Sequence, residues 1–339
     1  LFHVGNIVIT NKCNFTCDFC YAHKNEDPND AVFSLDYIKK LKTKIPKESF
    51  SFASITGGEP LLYKDLVKQV RAEFGQANIL TNGSLIDEEF VKWMLDSNTS
   101  VYITLDYDIP NFSGHASQPV RQNLQRLVDK YPDLVNFMSL GTVMPIHELY
   151  NLNDYRSTQC EPFEKECWKL FNFIFEGEYV KEDFFEQELD RLENDEISIK
   201  ETLFFRYLNY LQKAFGEGFN TSSCSNSLSI NHRGQIYACH EYAAMPESFS
   251  SRFKPIFVDD FDLDKFKDHL KEVKYGPNSL CKKDCCLKYL CGGVCWANLH
   301  MNDYLCVLTR LAVAYALYIK VNYIPNNKRL ASCSHNKRQ

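Results

Sequence analysis

Short apolar runs alternate with amphipathic stretches through the first half of the chain. Val4–Thr10 is rich in β-branched residues, and Leu35–Ile45 then carries apolar residues at helical spacing. The alternation continues. Phe50–Thr56, Ala77–Leu80, Val101–Leu105 and Phe137–Met144 read as strands, with Lys64–Phe74, Asp87–Leu95 and Val120–Tyr131 as helices between them. Leu170–Phe175 reads as a further strand. Acidic residues open the helix at Asp87, where the helix dipole favours them. Such alternation predicts parallel strands joined by right-handed crossovers. About six units predict a partial (β/α)6 TIM barrel rather than a closed eight. The Gly-rich and polar segments fall at the C-terminal ends of the strands, where such barrels build their chemistry.

The texture changes further along. Lys181–Phe215 is charged and aromatic with helical spacing, and reads as a connector. From Cys224 onward, short strands and turns surround many cysteines. Leu311–Tyr318 is apolar but too short to cross a bilayer, and reads as a packed helix before a polar tail. The expected organisation is a barrel over residues 1–180, a helical connector over 181–220, a Cys-rich domain over 221–310, and a C-terminal helix and tail over 311–339. The sequence opens on Leu1, and no signal peptide is recognisable. A cytoplasmic setting with no membrane partner is expected. The net charge of −6 lacks the basic excess of a broad nucleic-acid footprint, so no nucleic-acid partner is expected.

Fourteen cysteines change the picture through their placement. Cys13, Cys17 and Cys20 share one short loop after the first strand, and none follows until Cys160. Cys281, Cys285, Cys286, Cys291, Cys295 and Cys306 crowd into one late stretch. Clustered cysteines without an export signal point to metal rather than disulfides. Three thiolates on one loop leave one iron of a 4Fe–4S cube open to bind another molecule. Zinc is the alternative, as a knuckle at the first loop or a ribbon at the second.

The first loop, with its aromatic Phe19, resembles the signature of the radical S-adenosylmethionine (SAM) superfamily. Gly57-Gly58-Glu59-Pro60 resembles that family's GGEP motif. Thr81-Asn82-Gly83 ends the next strand, and Ile103-Thr104-Leu105-Asp106 resembles another family strand end. The resemblance implies a cluster on Cys13, Cys17 and Cys20 that binds SAM and cleaves it reductively to a 5′-deoxyadenosyl radical. It implies cofactor contacts from Phe19, Gly57, Gly58, Glu59, Asn82, Thr104 and Arg121. Within this set, Phe19 would lie beside the adenine, Glu59 would accept from the ammonium, and Arg121 would face the carboxylate. Tyr107 departs from the family's usual glycine.

The later cysteines resemble the SPASM extension of radical enzymes. Nine residues separate Cys224 from Gly234, and four separate Gly234 from Cys239. The spacings Cys285 to Cys291 and Cys291 to Cys295 also fit, whereas Cys281 to Cys285 is one residue long and Cys286 is extra. The resemblance implies two auxiliary 4Fe–4S clusters. Cys281, Cys285, Cys291 and Cys306 would hold the outer one, and Cys224, Cys239 and Cys295 the inner. The inner cluster would have an open iron unless Cys160, Cys167 or Cys286 fills it. His240 stands where sulfatase-maturing members have an Asp base, and is a base candidate. The implied function is peptide maturation: hydrogen abstraction from a peptide, then oxidative thioether or C–C cross-linking. Oxidation or epimerisation of another substrate, such as a sulfatase or a small molecule, and a zinc-binding interaction module are the alternatives. The implied partners are a peptide, with leader recognition either in a separate protein or in the barrel and extension, and an electron donor such as flavodoxin or ferredoxin.

Overall fold

A computed structural model describes residues 2–17, 31–106, 117–143, 227–238 and 255–275, together with Asp190, Asn194 and Ala243. The chain divides into two compact units. Leu1–Glu178 cluster with Ser223–Leu270, and Tyr179–Ser222 cluster with Lys271–Gln339.

The first unit is built on one sheet. Its strands are β1 (His3–Val8), β2 (Phe52–Thr56), β3 (Gln76–Thr81), β4 (Ser100–Asp106), β5 (Met138–Val143), β6 (Ser227–Ile230), β7 (Gln235–Tyr237) and β8 (Ile256–Phe257). They lie in the order β5-β4-β3-β2-β1-β6-β7-β8. β1 to β5 are parallel and step across the sheet in one direction. The helices between them are α1 (Leu35–Lys42), α2 (Lys64–Ala72), α3 (Glu88–Ser97) and α4 (Ser117–Lys130). Right-handed crossovers with this strand order put all four helices on one face, the wall of a partial TIM barrel. The predicted strand at Leu170–Phe175 lies outside the described residues. On the other edge, β6 pairs parallel with β1, and β7 and β8 follow antiparallel. The sheet therefore runs without a break from the barrel strands into residues 227–257. A last helix, α5 (Leu263–Tyr275), is seated by Phe266, whose ring meets Phe2 edge-on and also contacts Phe261. Among the described residues no helix is long and apolar enough to cross a membrane.

α1 and α3 form where the sequence supplies both a side-chain cap and an apolar stripe. The Ser34 side chain caps α1 by accepting from Asp36 N–H, and Lys39, Lys40 and Lys42 sit in its last turn, as the dipole favours. Asp87 caps α3 by accepting from Phe90 N–H, and Asn98 ends it in the left-handed conformation. Partial burial pushes the Asp87 carboxyl up, but the Lys64 ammonium and the Phe90 N–H outweigh it and hold the group below its usual range.

Strand register sorts the side chains into layers. Ile230, Ile7, Ile55, Ile79, Val101 and Met138 lie side by side across six strands, all buried. They form the hydrophobic layer on the helix side, joined by Ile38, Val67, Phe90 and Leu124 from the four helices. One residue earlier in each strand, the opposite face carries Ser229, Asn6, Ser54, Asn78 and Ser100 in one continuous row. Asn6 Nδ2 donates to Ser229 Oγ at 3.2 Å within that row. TIM-barrel interiors are ordinarily filled by bulky branched side chains. Here one interior row is small and polar across β6, β1, β2, β3 and β4.

Candidate active site

The site gathers where β1, β2, β3 and β4 end. β1 runs on past Val8, and its extension holds the base of the cysteine loop against the end of β2. Ile9 N–H donates to Thr56 O at 2.8 Å, Gly58 N–H to Thr10 O at 2.8 Å, and Glu59 N–H to Lys12 O at 2.7 Å. Only glycine allows this approach. A Cβ on Gly57 would stand 2.4 Å from Thr10 O, and one on Gly58 would stand 2.1 Å from Lys12 O. The two glycines thus admit the backbone of the cysteine loop, a role their motif alone did not reveal.

Glu59 follows and is fully buried. Its Oε1 accepts from Leu61 N–H at 2.9 Å and from the Thr81 hydroxyl at 2.8 Å, and its Oε2 accepts from Asn82 N–H at 2.8 Å. A buried carboxylate needs such donors. It clasps the turn after β2 to the turn after β3. Thr81 relays the tie, since its oxygen also accepts from Gly83 N–H at 3.1 Å. Gly83, at φ +77, lets the turn close against Ile103 and against Val120 of α4.

Asn82 then faces the loop. Its Nδ2 donates to Asn14 Oδ1 at 2.9 Å and approaches Cys13 Sγ at 3.9 Å. Phe15 N–H also donates to Cys13 Sγ, at 3.4 Å. Two N–H groups aimed at one sulfur suit a thiolate ligand, so the donor set at Cys13 fits an iron–sulfur cluster. Cys17, further along the same loop, is buried. Cys20 and Phe19 lie outside the described residues, as do Cys224, Cys239, His240, Cys281, Cys285, Cys291, Cys295 and Cys306. Among the described residues no three His, Cys, Asp or Glu side chains converge.

Thr104 lies on the polar face of β4, paired with Gly141 of β5. Tyr102, two residues earlier on that face, lays its ring over Gly141, where a Cβ would meet Tyr102 Oη at 1.9 Å. The phenol therefore reaches the level of Thr104. Arg121, in the first half of α4, is 2% exposed. A buried guanidinium keeps its charge and needs partners of matching geometry.

The structure thus brings Cys13, Gly57, Gly58, Glu59 and Asn82 into one hydrogen-bonded assembly. Thr104 sits at the corresponding strand end. Asn14, Ser84 and Tyr102 were not singled out from the sequence. Asn14 and Ser84 are common loop residues, and their signal is only their adjacency to Cys13 and to the Thr81-Asn82-Gly83 turn. Tyr102 lies two residues before Thr104, the strand spacing that puts both on one face.

Residues 7–154 match the family model described as the radical SAM superfamily. The radical SAM cyclopropyl synthase TigE of Paramaledivibacter caminithermalis is 23% identical over 268 residues, covering 69% of this chain and 56% of that protein. The S-adenosylmethionine-dependent nucleotide dehydratase of Selenomonas ruminantium is 37% identical over 86 residues, covering 24% of this chain and 30% of that one. The chain thus spans between about a third and about half the length of these relatives. Among solved structures, native anSMEcpe with bound AdoMet superposes with a TM-score of 0.60 at 15% identity, covering 93% of this chain and 100% of that one. Streptococcus suis SuiB bound to precursor peptide SuiA superposes with a TM-score of 0.59 at 17% identity, covering 88% and 73%. At such identities the superpositions speak for a shared fold. Together with the assembly around Cys13, the match shows that residues 7–154 form a radical SAM domain.

Proposed function

We propose that this chain is a radical SAM peptide maturase. In this reading Cys13, Cys17 and Cys20 would hold a 4Fe–4S cluster that binds SAM. When bound, that pair supplies a 5′-deoxyadenosyl radical able to remove an unactivated hydrogen from a peptide. The observation that carries the reading is the clasp of Glu59 on Thr81 and Asn82, with Asn82 and Phe15 directing N–H groups at Cys13. Gly57 and Gly58 seat the loop, and Thr104 offers a hydroxyl at the rim. Phe19 and Arg121 complete the cofactor contacts.

The peptide class is supported by SuiB, whose structure holds a precursor peptide, and by anSMEcpe, whose structure holds the Cp18Cys peptide. The polar layer of Asn6, Ser54, Asn78, Ser100 and Ser229 favours a neutral, hydrogen-bonding chain such as a peptide backbone. The later cysteines hold two auxiliary clusters, on Cys281, Cys285, Cys291 and Cys306 and on Cys224, Cys239 and Cys295. Such clusters would supply an acceptor for the electron released when a thioether or C–C bond closes, and His240 would take up the proton. The hairpin of β6 and β7 supports the pairing of Cys224 with Cys239. Antiparallel strands bring Ser227 and Ala238 to one end of the hairpin, and the two cysteines flank those residues in sequence. A flavodoxin or ferredoxin supplies the reducing electron.

Replacing Cys13, Cys17 and Cys20 together by Ala tests the reading. Deoxyadenosine formation should vanish while the auxiliary iron stays. SAM cleavage by the triple variant would overturn it. Co-expression with a short peptide encoded beside the gene, followed by mass spectrometry, tests the substrate class. An unchanged mass excludes that peptide.

A further inference from the structure

The Asn82 amide faces the cysteine loop. Its Nδ2 donates to Asn14 Oδ1 at 2.9 Å and lies 3.9 Å from Cys13 Sγ, within reach of a bent N–H···S bond. Asn14 Nδ2 donates to Ser84 Oγ at 2.9 Å, and the Ser84 hydroxyl donates to Asn82 Oδ1 at 2.6 Å. Ser84 N–H adds a second bond to that oxygen, at 3.0 Å. Asn14, Ser84 and Asn82 thus close a ring in which each side chain donates and accepts, so each bond strengthens the next. The ring also fixes the orientation of the Asn82 amide. Reversed, its NH2 would face the Ser84 N–H, and its oxygen would face the Asn14 oxygen. Asn82 is 7% exposed, and its backbone N–H is held by the Glu59 carboxylate.

We propose that Asn14, Ser84 and Asn82 are positioning residues that set both the placement and the electron affinity of the first cluster. The ring pins the residue after Cys13 to the turn after β3, so the loop is held ready before iron enters. The Asn82 Nδ2–H draws electron density from the Cys13 thiolate. A cluster held there takes an electron at a less negative potential than it would without that hydrogen bond. Without it, the electron that cleaves SAM would be harder to load. The inference rests on the reading that Cys13, Cys17 and Cys20 hold a cluster.

The test uses anaerobically reconstituted full-length protein and two readouts other than turnover. The first is the midpoint potential of the site cluster, from EPR-monitored redox titration. Its signal is identified as the one lost in a Cys13→Ala variant. Asn82→Ala should shift this midpoint to a more negative value. Asn82→Leu, which keeps the bulk without charge but loses the donor, should shift it the same way. The second is iron loss to an excess chelator. Asn14→Ala, at an exposed position, and Ser84→Ala should release the site iron several-fold faster than the wild type. An unchanged midpoint in Asn82→Ala overturns the proposal, and so does wild-type iron release by Asn14→Ala. A Cys13→Ala variant that binds as much iron as the wild type overturns instead the cluster reading beneath it. Should Asn82→Ala not fold, Asn82→Leu decides the potential and Asn14→Ala the iron retention.

Discussion

Glu59→Gln separates two roles for the buried carboxylate. The clasp has three donors: Leu61 N–H, the Thr81 hydroxyl and Asn82 N–H. Glutamine can keep an oxygen for the first two. Its NH2 then faces the Asn82 N–H, donor against donor. Losing one charge-assisted bond and leaving one buried donor without a partner costs about 2 kcal/mol. Glu59→Ala strands all three donors in a fully buried place and should cost about 4 kcal/mol, after partial relief by water. Domains are stable by only about 5–15 kcal/mol, so both losses are measurable. The assay is urea unfolding of the cluster-free protein, followed by circular dichroism and by the fluorescence of Trp93, which packs on Phe90 in the helix after the clasped turn. The clasp predicts lower stability without cofactor present. A carboxylate reserved for the SAM ammonium predicts the reverse: unchanged stability and weakened SAM binding. Glu59→Gln protein as stable as the wild type, with SAM binding alone impaired, would refute the clasp.

Two further outcomes follow from side-chain packing. Gly141→Ala drives a Cβ into Tyr102, and overpacking of this kind costs about 1–3 kcal/mol. The double variant with Tyr102→Leu should recover most of it, and a double-mutant cycle in urea that finds simple additivity would rule out the contact. Asp87→Ala should lose about 1 kcal/mol with the cap of α3. The Asp87 carboxyl is depressed in the folded chain, because Lys64 and the Phe90 N–H outweigh its partial burial. Its stabilising effect is therefore present above the ordinary carboxylate range and fades as pH falls through the depressed value. The stability gap between wild type and Asp87→Asn should close at low pH, and a gap that widens on acidification would contradict this.

Much of the frame is legible in the sequence, because period and punctuation dictate it. The strand and helix runs from Val4 to Val143 stand out, since each apolar run ends in glycine, a cap residue or a polar turn. The GGEP and TNG turns mark the correct strand ends. What they do there is less legible. The glycines answer to the backbone of Thr10 and Lys12, more than 40 residues earlier, and no local pattern records such an approach. Glu59 invites reading as a ligand for an ammonium, but its described partners are Leu61, Thr81 and Asn82. The pairing of β6 with β1 joins His3 to Ser227 and is equally silent, because neither strand's own alternation names its neighbour. The Asn14, Ser84 and Asn82 ring is built from residues that elsewhere merely solvate turns.

The row of Ser229, Asn6, Ser54, Asn78 and Ser100 has an evolutionary consequence. The hydrophobic free energy of this sheet comes from its helix side, through the six-strand layer that includes Ile7, Ile55 and Ile79. This row on the opposite face contributes little to that sum. Exchanging one small polar residue for another there alters the polarity of the interior while leaving the stability of the domain almost untouched. Such positions can vary one strand at a time, without first acquiring a stabilising mutation. A sheet that draws its folding free energy mainly from one face leaves the composition of the other open to change.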